Sequence, residues 1–184
     1  GGFKGYWSLF FLRNFQIKKI NIFDPASMNV GSINRRLGEK KNVTIHNMGL
    51  SDKIEERMFY EYSQRDINSV YKNVPNDAIL VDQYLINLNT LDNVLNTNEI
   101  YDVLKIDVEG HECNVLMGAQ KILSNVKVLE IECHKYNIFE NKNQSSLDKI
   151  TALLPTSFVL SFQETFNKGS KDEFSDLIFI NLNF

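Results

Sequence analysis

The chain has 184 residues, of which 43% are hydrophobic, with a formal net charge of −3 and an isoelectric point near 5.7. A chain of this length and apolar content is expected to form one domain with a substantial core. The weak negative charge gives no electrostatic basis for binding nucleic acid or an anionic membrane. No apolar run approaches the ~20 residues of a membrane span. The sequence therefore predicts neither a nucleic-acid partner nor a membrane partner.

The two cysteines indicate the redox setting. Cys113 falls in a predicted helix and Cys133 in a predicted strand, so they do not form a spaced framework. We expect buried, reduced thiols, which are typical of a cytoplasmic protein.

Helices and strands alternate along the first part of the chain. An aromatic helix is predicted from Gly5 to about Asn14, and a short strand over 19–23 ends at Asp24. Apolar residues at helical spacing predict a second helix that stops at Gly38, and a strand follows over 43–46.

Residues 54–86 interrupt this alternation. Three extended segments, 58–60, 69–71 and 79–86, are separated by polar turns. We interpret them as an inserted β-meander or lid, because insertions of this length are usually functional or mobile. A hairpin that merely decorates the surface is an equally open alternative.

The second part of the chain resumes the alternation. It predicts a short helix after Thr90, a strand over Val103–Ile106 covered on both faces, and a helix from His111. A strand over 126–131, a further helix and two closing antiparallel strands, 158–162 and 177–182, complete the pattern. Repeated β-α units predict an α/β fold with a doubly wound, mostly parallel sheet and an antiparallel C-terminal strand.

Three carboxylates follow the predicted strand that ends at Ile106. Asp107, Glu109 and Glu112 lie in the loop between this strand and the next helix. Ligands bind at such carboxyl ends of strands in open α/β sheets. Acidic residues also favour helix N-termini, so a purely structural capping role remains open, above all for Glu112.

The same region carries a family resemblance. The run K-I-D-V-E-G-H-E over 105–112, followed by N-V-L-M-G-A, resembles the signature of FkbM-type methyltransferases, a family of S-adenosylmethionine-dependent O-methyltransferases. Three further segments resemble the family in the same order: the glycine-rich start over 1–8, N-M-G-L-S-D over 47–52 and T-L-D over 90–92. The resemblance spans nearly the whole chain and implies a class I, Rossmann-like methyltransferase fold in a single domain over 1–184.

A glycine-rich cofactor loop should follow a strand, because the turn from the strand into a helix creates the binding site. The sequence begins within this loop, at Gly1, and not with Met. We therefore expect a fragment truncated at its N-terminus, without its central first strand. The alternative is a glycine-rich surface segment with no cofactor role.

The resemblance implies that S-adenosylmethionine contacts Gly1, Gly2, Phe3 and Gly5, where an absent Cβ lets the backbone of Gly1 and Gly5 approach the ligand. Phe3 stands where the family commonly has Asn. Asp24 is expected to accept hydrogen bonds from the ribose hydroxyls, with a simple turn role as the alternative.

Three further residues complete the implied cofactor site. Ser51 and Asp52 could flank the adenine, although a turn role is nearly as consistent with the sequence. Asp107 would face the charged methionyl portion of the cofactor and the reacting centre.

Methyl transfer requires alignment of the acceptor and removal of its proton. Glu109 and His134 are the candidate bases, together with Asp107 at the reacting centre, although an exposed histidine without a catalytic role is common. With Glu132 these residues could form a divalent metal site, but no ligand spacing requires a metal.

The sequence thus predicts an O-methyltransferase that acts on a small hydroxylated acceptor such as a sugar or a natural product. One alternative is a degenerate relative that binds without turnover, which the incomplete first motif and Phe3 would favour. A nicotinamide-dependent oxidoreductase is another alternative, but it leaves the K-I-D-V-E-G-H-E run unexplained.

Overall fold

A computed structural model of the chain describes residues 1–63, 67–72, 78–134, 146–170 and 173–184. Within these residues the helices are α1 (Tyr6–Asn14), α2 (Ser27–Leu37), α3 (Leu91–Val94), α4 (Glu112–Met117), α5 (Gln120–Leu123) and α6 (Leu147–Leu153). The strands are β1 (Ile20–Phe23), β2 (Val43–His46), β3 (Gly49–Leu50), β4 (Glu55–Tyr62), β5 (Leu80–Asn89), β6 (Tyr101–Ile106), β7 (Val126–His134), β8 (Phe158–Phe166) and β9 (Phe174–Asn181).

The described strands form three hydrogen-bonded groups. β1 pairs in parallel with β2, and β5 lies between β3 and β4. The largest group has the order β6-β7-β9-β8, in which β6 and β7 are parallel and β9 is antiparallel to both of its neighbours. The predicted α/β alternation and the antiparallel pairing of the closing strands are confirmed. None of the described helices is long and apolar enough to cross a membrane.

The main core lies between the four-stranded sheet and helices α4, α5 and α6. Leu129 and Ile131 of β7 and Leu116 of α4 are fully buried there. A second cluster joins α1 and α2 to β1 through Ile22 and Ile33. Both cysteines are buried and neither is part of a disulfide, and burial raises the pKa of the Cys133 thiol to about 12.

Two expectations for the second part of the chain were wrong. Val103 in β6 is 37% exposed, because the helices cover one face of the strand and its other side borders an open cavity. The helix predicted from His111 is divided into α4 and α5 at Gly118. A Cβ on Gly118 would lie 1.9 Å from the carbonyl oxygen of Ser51, so the chain can turn close to β3 only at a glycine.

The predicted insertion forms the antiparallel hairpin of β4 and β5, whose buried face packs on Ala26. The middle extended segment is reduced to a single bridge between Tyr60 and Ser69. Parts of the insertion, 64–66 and 73–77, lie outside the described residues. β5 also pairs with β3, so the hairpin is continuous with the body of the domain.

A cavity of about 1080 Å³ extends between β1 and β6. In the described part of the chain, β1 pairs with β2 and β6 with β7, and neither strand pairs across this gap. The amino-terminal turn bridges the carboxyl ends of the two strands. A Cβ on Gly1 would lie 2.5 Å from the carbonyl oxygen of Asp107, and one on Gly2 would lie 2.6 Å from the Ile22 side chain.

We propose that a further strand, parallel to β1 and β6, fills the part of this gap between the two strands and leaves the cavity open at their carboxyl ends. Unpaired backbone groups and an open sheet edge are destabilising and favour aggregation. Residues 1–184 expressed alone should therefore unfold without a cooperative transition and bind the cofactor weakly. Joining an apolar strand, as long as the six residues of β6, to Gly1 should restore a cooperative transition in calorimetry.

The control for this experiment is the same extension with proline at alternate positions, which cannot donate ladder hydrogen bonds. A cooperative transition in residues 1–184 that neither extension changes would contradict the proposed strand.

Candidate active site

The amino-terminal turn is fixed to the end of β1. The Gly5 N–H donates to the Gly2 carbonyl at 2.8 Å, and both Gly5 and Phe3 have positive φ, 75° and 44°. The Phe3 N–H donates to Asp24 Oδ2 at 2.7 Å. Asn tolerates a left-handed backbone better than Phe does, which gives a physical reason for the Asn that is common here in the resembling family.

Asp24 joins this turn to the start of α2. Its Oδ1 accepts the Ala26 N–H at 2.9 Å, and the Asn29 amide lies 3.3 Å from both carboxylate oxygens. Burial raises the pKa of Asp24 despite these donors. The carboxylate thus has the predicted turn role, and Asp24 also lies in the wall of the cavity.

Lys105 lies between two carboxylates on the cavity side of β6 and β7. Its Nζ lies 3.1 Å from Asp107 Oδ2 and 3.3 Å from Glu130 Oε1, and the Trp7 indole N–H donates to Glu130 at 3.2 Å. Burial opposes ionisation of Asp107, but the neighbouring Lys105 charge holds the pKa of that carboxyl below its usual range. Sequence analysis missed this network, although a lysine within an apolar strand was a visible signal.

Two of the three predicted catalytic residues, Glu109 and His134, come together with Glu132 at the carboxyl ends of β6 and β7, and Asp107 is not part of this group. One ligand atom each of Glu109, Glu132 and His134 lies within 4.8 Å of the others, a spacing that could hold a cation or an acceptor hydroxyl. His134 Nε2 lies 2.9 Å from Glu132 Oε1.

The two partners of this pair titrate above their ordinary ranges. Burial raises the pKa of Glu132, and the charge of Asp107 adds to this effect. Burial disfavours the charged form of His134, but the hydrogen bond with Glu132 raises the pKa of the imidazole. Asp107 is thus close enough to influence the cluster electrostatically.

The acidic loop has an unusual backbone that Glu112 supports. Glu109 and Gly110 have φ values of 54° and 93°. Glu112 is fully buried, and its Oε1 accepts the N–H groups of Val108 and Gly110 at 3.1 and 3.0 Å. These bonds confirm the structural alternative for Glu112.

Ser51 and Asp52 belong to a hydrogen-bond chain that is buried at Ser51 and exposed at Asp52, and neither residue lies in the described wall of the cavity. Ser51 Oγ donates to Asp52 Oδ1 at 2.9 Å and lies 3.0 Å from His111 Nε2. The other ring nitrogen, Nδ1, lies 2.9 Å from the Tyr71 hydroxyl. The adenine role of Ser51 and Asp52 stays a prediction.

The donor and the acceptor of each bond in this chain follow from Asp52, whose carboxylate can only accept. It accepts a hydrogen bond from the Ser51 hydroxyl, so Ser51 Oγ in turn accepts from His111 Nε2–H. His111 Nδ1 then accepts from the Tyr71 hydroxyl. Burial and the positive charge of Arg57 lower the pKa of His111 to about 3, which keeps the ring neutral. His111 is part of the quoted motif, but sequence analysis gave it no role.

His111 should make stability depend on pH. Between about pH 3 and 6.5 the unfolded chain binds a proton on His111 that the folded chain does not. The free energy of unfolding should therefore fall as pH drops through this window, by up to about 1.4 kcal/mol per pH unit from this group. His111→Gln should remove that contribution in urea titrations of the full-length protein from about pH 7.5 to about pH 4.5.

His46→Gln is the matched control, since His46 is only partly buried and its pKa is lowered mainly by that burial. This substitution should change the pH slope less than His111→Gln. An identical slope in wild type and His111→Gln would show that His111 is not held neutral.

The sequence profile of the Methyltransferase FkbM domain matches residues 11–165. A search of curated proteins found no match.

Three crystal structures share the fold at low identity. A methyltransferase FkbM from Methylobacillus flagellatus KT has a TM-score of 0.61 and 16% identity over 96% of this chain and 41% of its own. The N-methyltransferase NodS from Bradyrhizobium japonicum WM9, in complex with S-adenosylhomocysteine, has a TM-score of 0.54 and 7% identity over 97% and 73%. An rRNA methylase from Streptococcus thermophilus has a TM-score of 0.54 and 12% identity over 99% and 84%.

The chain spans about two fifths of the Methylobacillus structure. At these identities the structures establish the fold, which is the class I, Rossmann-like methyltransferase fold predicted from the sequence. The family profile covers most of the chain, including the glutamates and histidine that meet at the end of β6 and β7. The chain belongs to the FkbM methyltransferase domain family.

Proposed function

We propose that the protein is an S-adenosylmethionine-dependent O-methyltransferase that acts on a hydroxyl group of a small molecule, such as a sugar or a natural product. The observation that carries this proposal is the meeting of the glycine turn with the acidic cluster in one cavity. Gly1, Asp24, Asp107 and Glu109 all line it. Family membership and the S-adenosylhomocysteine bound in the NodS structure support the cofactor.

The residues around the turn fit such a cofactor. A Cβ at Gly1 would meet the Asp107 carbonyl at 2.5 Å, so glycine alone permits this close approach. Gly1, Gly2 and Phe3 line the cavity and would supply backbone contacts, whereas Gly5 packs against Ile33 and Leu37 and would only shape the turn. Asp24 would accept from the ribose hydroxyls. When bound, the cofactor supplies an electrophilic methyl group on a sulfonium.

Asp107 is suited to the positive end of the cofactor, because the neighbouring Lys105 favours its ionised form. Leu50 lines the cavity, whereas Ser51 and Asp52 do not. Ser51 and Asp52 would therefore support the adenine indirectly, through the adjacent Leu50.

Glu109 is the better candidate for the base that receives the acceptor proton. His134 Nε2 already bonds Glu132, and the raised pKa of the imidazole shifts it towards the form that donates hydrogen bonds. His134 paired with Glu132 would then orient the acceptor oxygen beside Glu109. A hydroxyl needs such a base more than a neutral amine does, which favours oxygen as the methylated atom.

The charges of the site also bear on the acceptor. Asp107, Glu109 and Glu132 converge where an RNA phosphate would be repelled, so we propose a small acceptor and no nucleic-acid partner.

Divalent metal is compatible with the cluster but is not required by this mechanism. The two buried cysteines, neither of which is part of a disulfide, support a cytoplasmic location.

The first test is cofactor binding. In calorimetry the full-length protein should bind S-adenosylhomocysteine and not NAD. Asp24→Ala should weaken this binding by on the order of 1–3 kcal/mol, the scale of a lost hydrogen bond to a charged group.

Asn29→Ala is the matched control, because it removes an amide that contacts Asp24 but leaves the carboxylate in place. It should bind with nearly wild-type affinity. Unchanged affinity in Asp24→Ala would remove Asp24 from the cofactor site, and preferential binding of NAD would refute the proposed cofactor.

The second test concerns the base. With S-adenosylmethionine tritiated in its methyl group and a panel of free monosaccharides and simple phenols, Glu109→Gln should lower turnover by roughly 10²–10⁴. His134→Asn should also lower it. Both variants should keep wild-type affinity for S-adenosylhomocysteine.

Glu55→Gln serves as control, since Glu55 pairs with Lys53 on the insertion and lies outside the described cavity wall. Full activity of Glu109→Gln would eliminate Glu109 as the base. Equal activity with and without a chelator would rule out a required metal.

A further inference from the structure

The segment 67–72, between the two strands of the insertion, contacts the acidic loop at two points. Ser69 Oγ donates to the Glu109 carbonyl oxygen at 2.7 Å. The Tyr71 hydroxyl lies 2.9 Å from His111 Nδ1, with the two ring centroids 5.7 Å apart. These contacts join residues 40 positions apart in the sequence. The segment also lines the cavity through Ile67, Asn68 and Val70.

The first contact holds a strained residue. A left-handed backbone is unfavourable for a residue with a Cβ, and it persists where neighbouring groups determine it. Glu109 has this backbone, with φ 54°. The Ser69 bond fixes its carbonyl on one side, and the Glu112 carboxylate fixes the Gly110 N–H on the other. The direction of the Glu109 side chain therefore depends on Ser69.

The second contact rests on a rigid frame. His111 is 2% exposed, and its Nε2 donates to Ser51, which is held through Asp52 to the Asn114 amide of α4. These contacts hold the His111 ring in one orientation, in which Nδ1 accepts the hydrogen bond from the Tyr71 hydroxyl.

The segment itself is held by the insertion. Ser69 exchanges backbone hydrogen bonds of 2.8 and 3.2 Å with Tyr60 of β4. The Arg57 guanidinium of the same strand lies 5.0 Å above the Tyr71 ring. Hydrogen bonds and a ring contact therefore connect the insertion to the acidic loop.

We propose that Ser69, Tyr71 and His111 are positioning residues, which link the insertion to the acidic loop and aim the Glu109 carboxyl group at Glu132 and His134. This inference rests on the proposed function in one respect, the role of Glu109 as base. The link assigns the insertion a part in the active site, where the sequence alone left a decorating hairpin equally open.

Hydrogen–deuterium exchange of the full-length protein tests the link directly. Tyr71→Phe removes the hydroxyl, with its bonds to His111 and Arg57, but keeps the ring under the Arg57 guanidinium. Ser69→Ala removes the bond to Glu109 and the acceptor of the Tyr71 N–H. Both should speed exchange of the peptide covering 107–112, which contains the Val108 and Gly110 amides, by at least about tenfold. Tyr84→Phe is the matched control, because its hydroxyl bonds Glu61 within the same hairpin, at 2.6 Å, and not the loop.

Two readouts separate positioning from a general loss of structure. The ¹⁵N resonance of His111 Nδ1 should shift in Tyr71→Phe, while its Nε2 resonance should stay nearly unchanged. The double variant Tyr71→Phe/His111→Gln should exchange no faster than His111→Gln alone, because both changes break one link. In methyl transfer to the same acceptor panel, Tyr71→Phe and Ser69→Ala should lower kcat and leave S-adenosylhomocysteine affinity unchanged.

The exchange measurement does not depend on catalysis. Exchange over 107–112 that matches wild type, or that rises equally in Tyr84→Phe, would overturn the link whatever the activity. Absence of cofactor binding would instead refute the proposed function, and the exchange result would still decide whether Ser69 and Tyr71 hold the loop.

Discussion

The site depends on the close approach of one short turn to two strands that share no hydrogen bonds in the described structure. Gly1 lies against the end of β6 and Gly2 against β1, at distances that a Cβ would not allow. The Phe3 bond to Asp24 fixes the turn to β1, and the Trp7 bond to Glu130 fixes the following helix to β7. The position of the acidic cluster relative to the proposed cofactor residues follows from these contacts.

Electrostatics then gives the carboxylates at this edge different roles. Lys105 favours the ionised form of Asp107, whereas burial raises the pKa of Glu132. The hydrogen bond that His134 donates to Glu132 raises the pKa of His134. Burial lowers the pKa of His111 to about 3, so its ring stays neutral near pH 7. Groups of similar chemistry at one edge of the sheet can thus serve as a fixed charge, a hydrogen-bonded pair and a structural anchor.

Sequence reasoning succeeded where the signal was local. The carboxyl ends of β1 and β6, the alternation of elements and the meeting of Glu109 with His134 follow from apolar runs and from parallel neighbours ending at one edge. It failed where a distant residue decided the outcome. The exposure of Val103 depends on the gap beside β6, and the break at Gly118 depends on the Ser51 carbonyl. Likewise, no period or motif relates His111 to Tyr71.

The insertion shows why such distant contacts matter for function. A hairpin that decorates the surface would bury its own apolar face and leave the acidic loop independent of it. Here Ser69 bonds the residue with the most demanding backbone in that loop, and Tyr71 bonds a histidine inside the family motif. The loop conformation and the hairpin are therefore coupled, so a change in either one alters the wall of the cavity and the direction of Glu109 together.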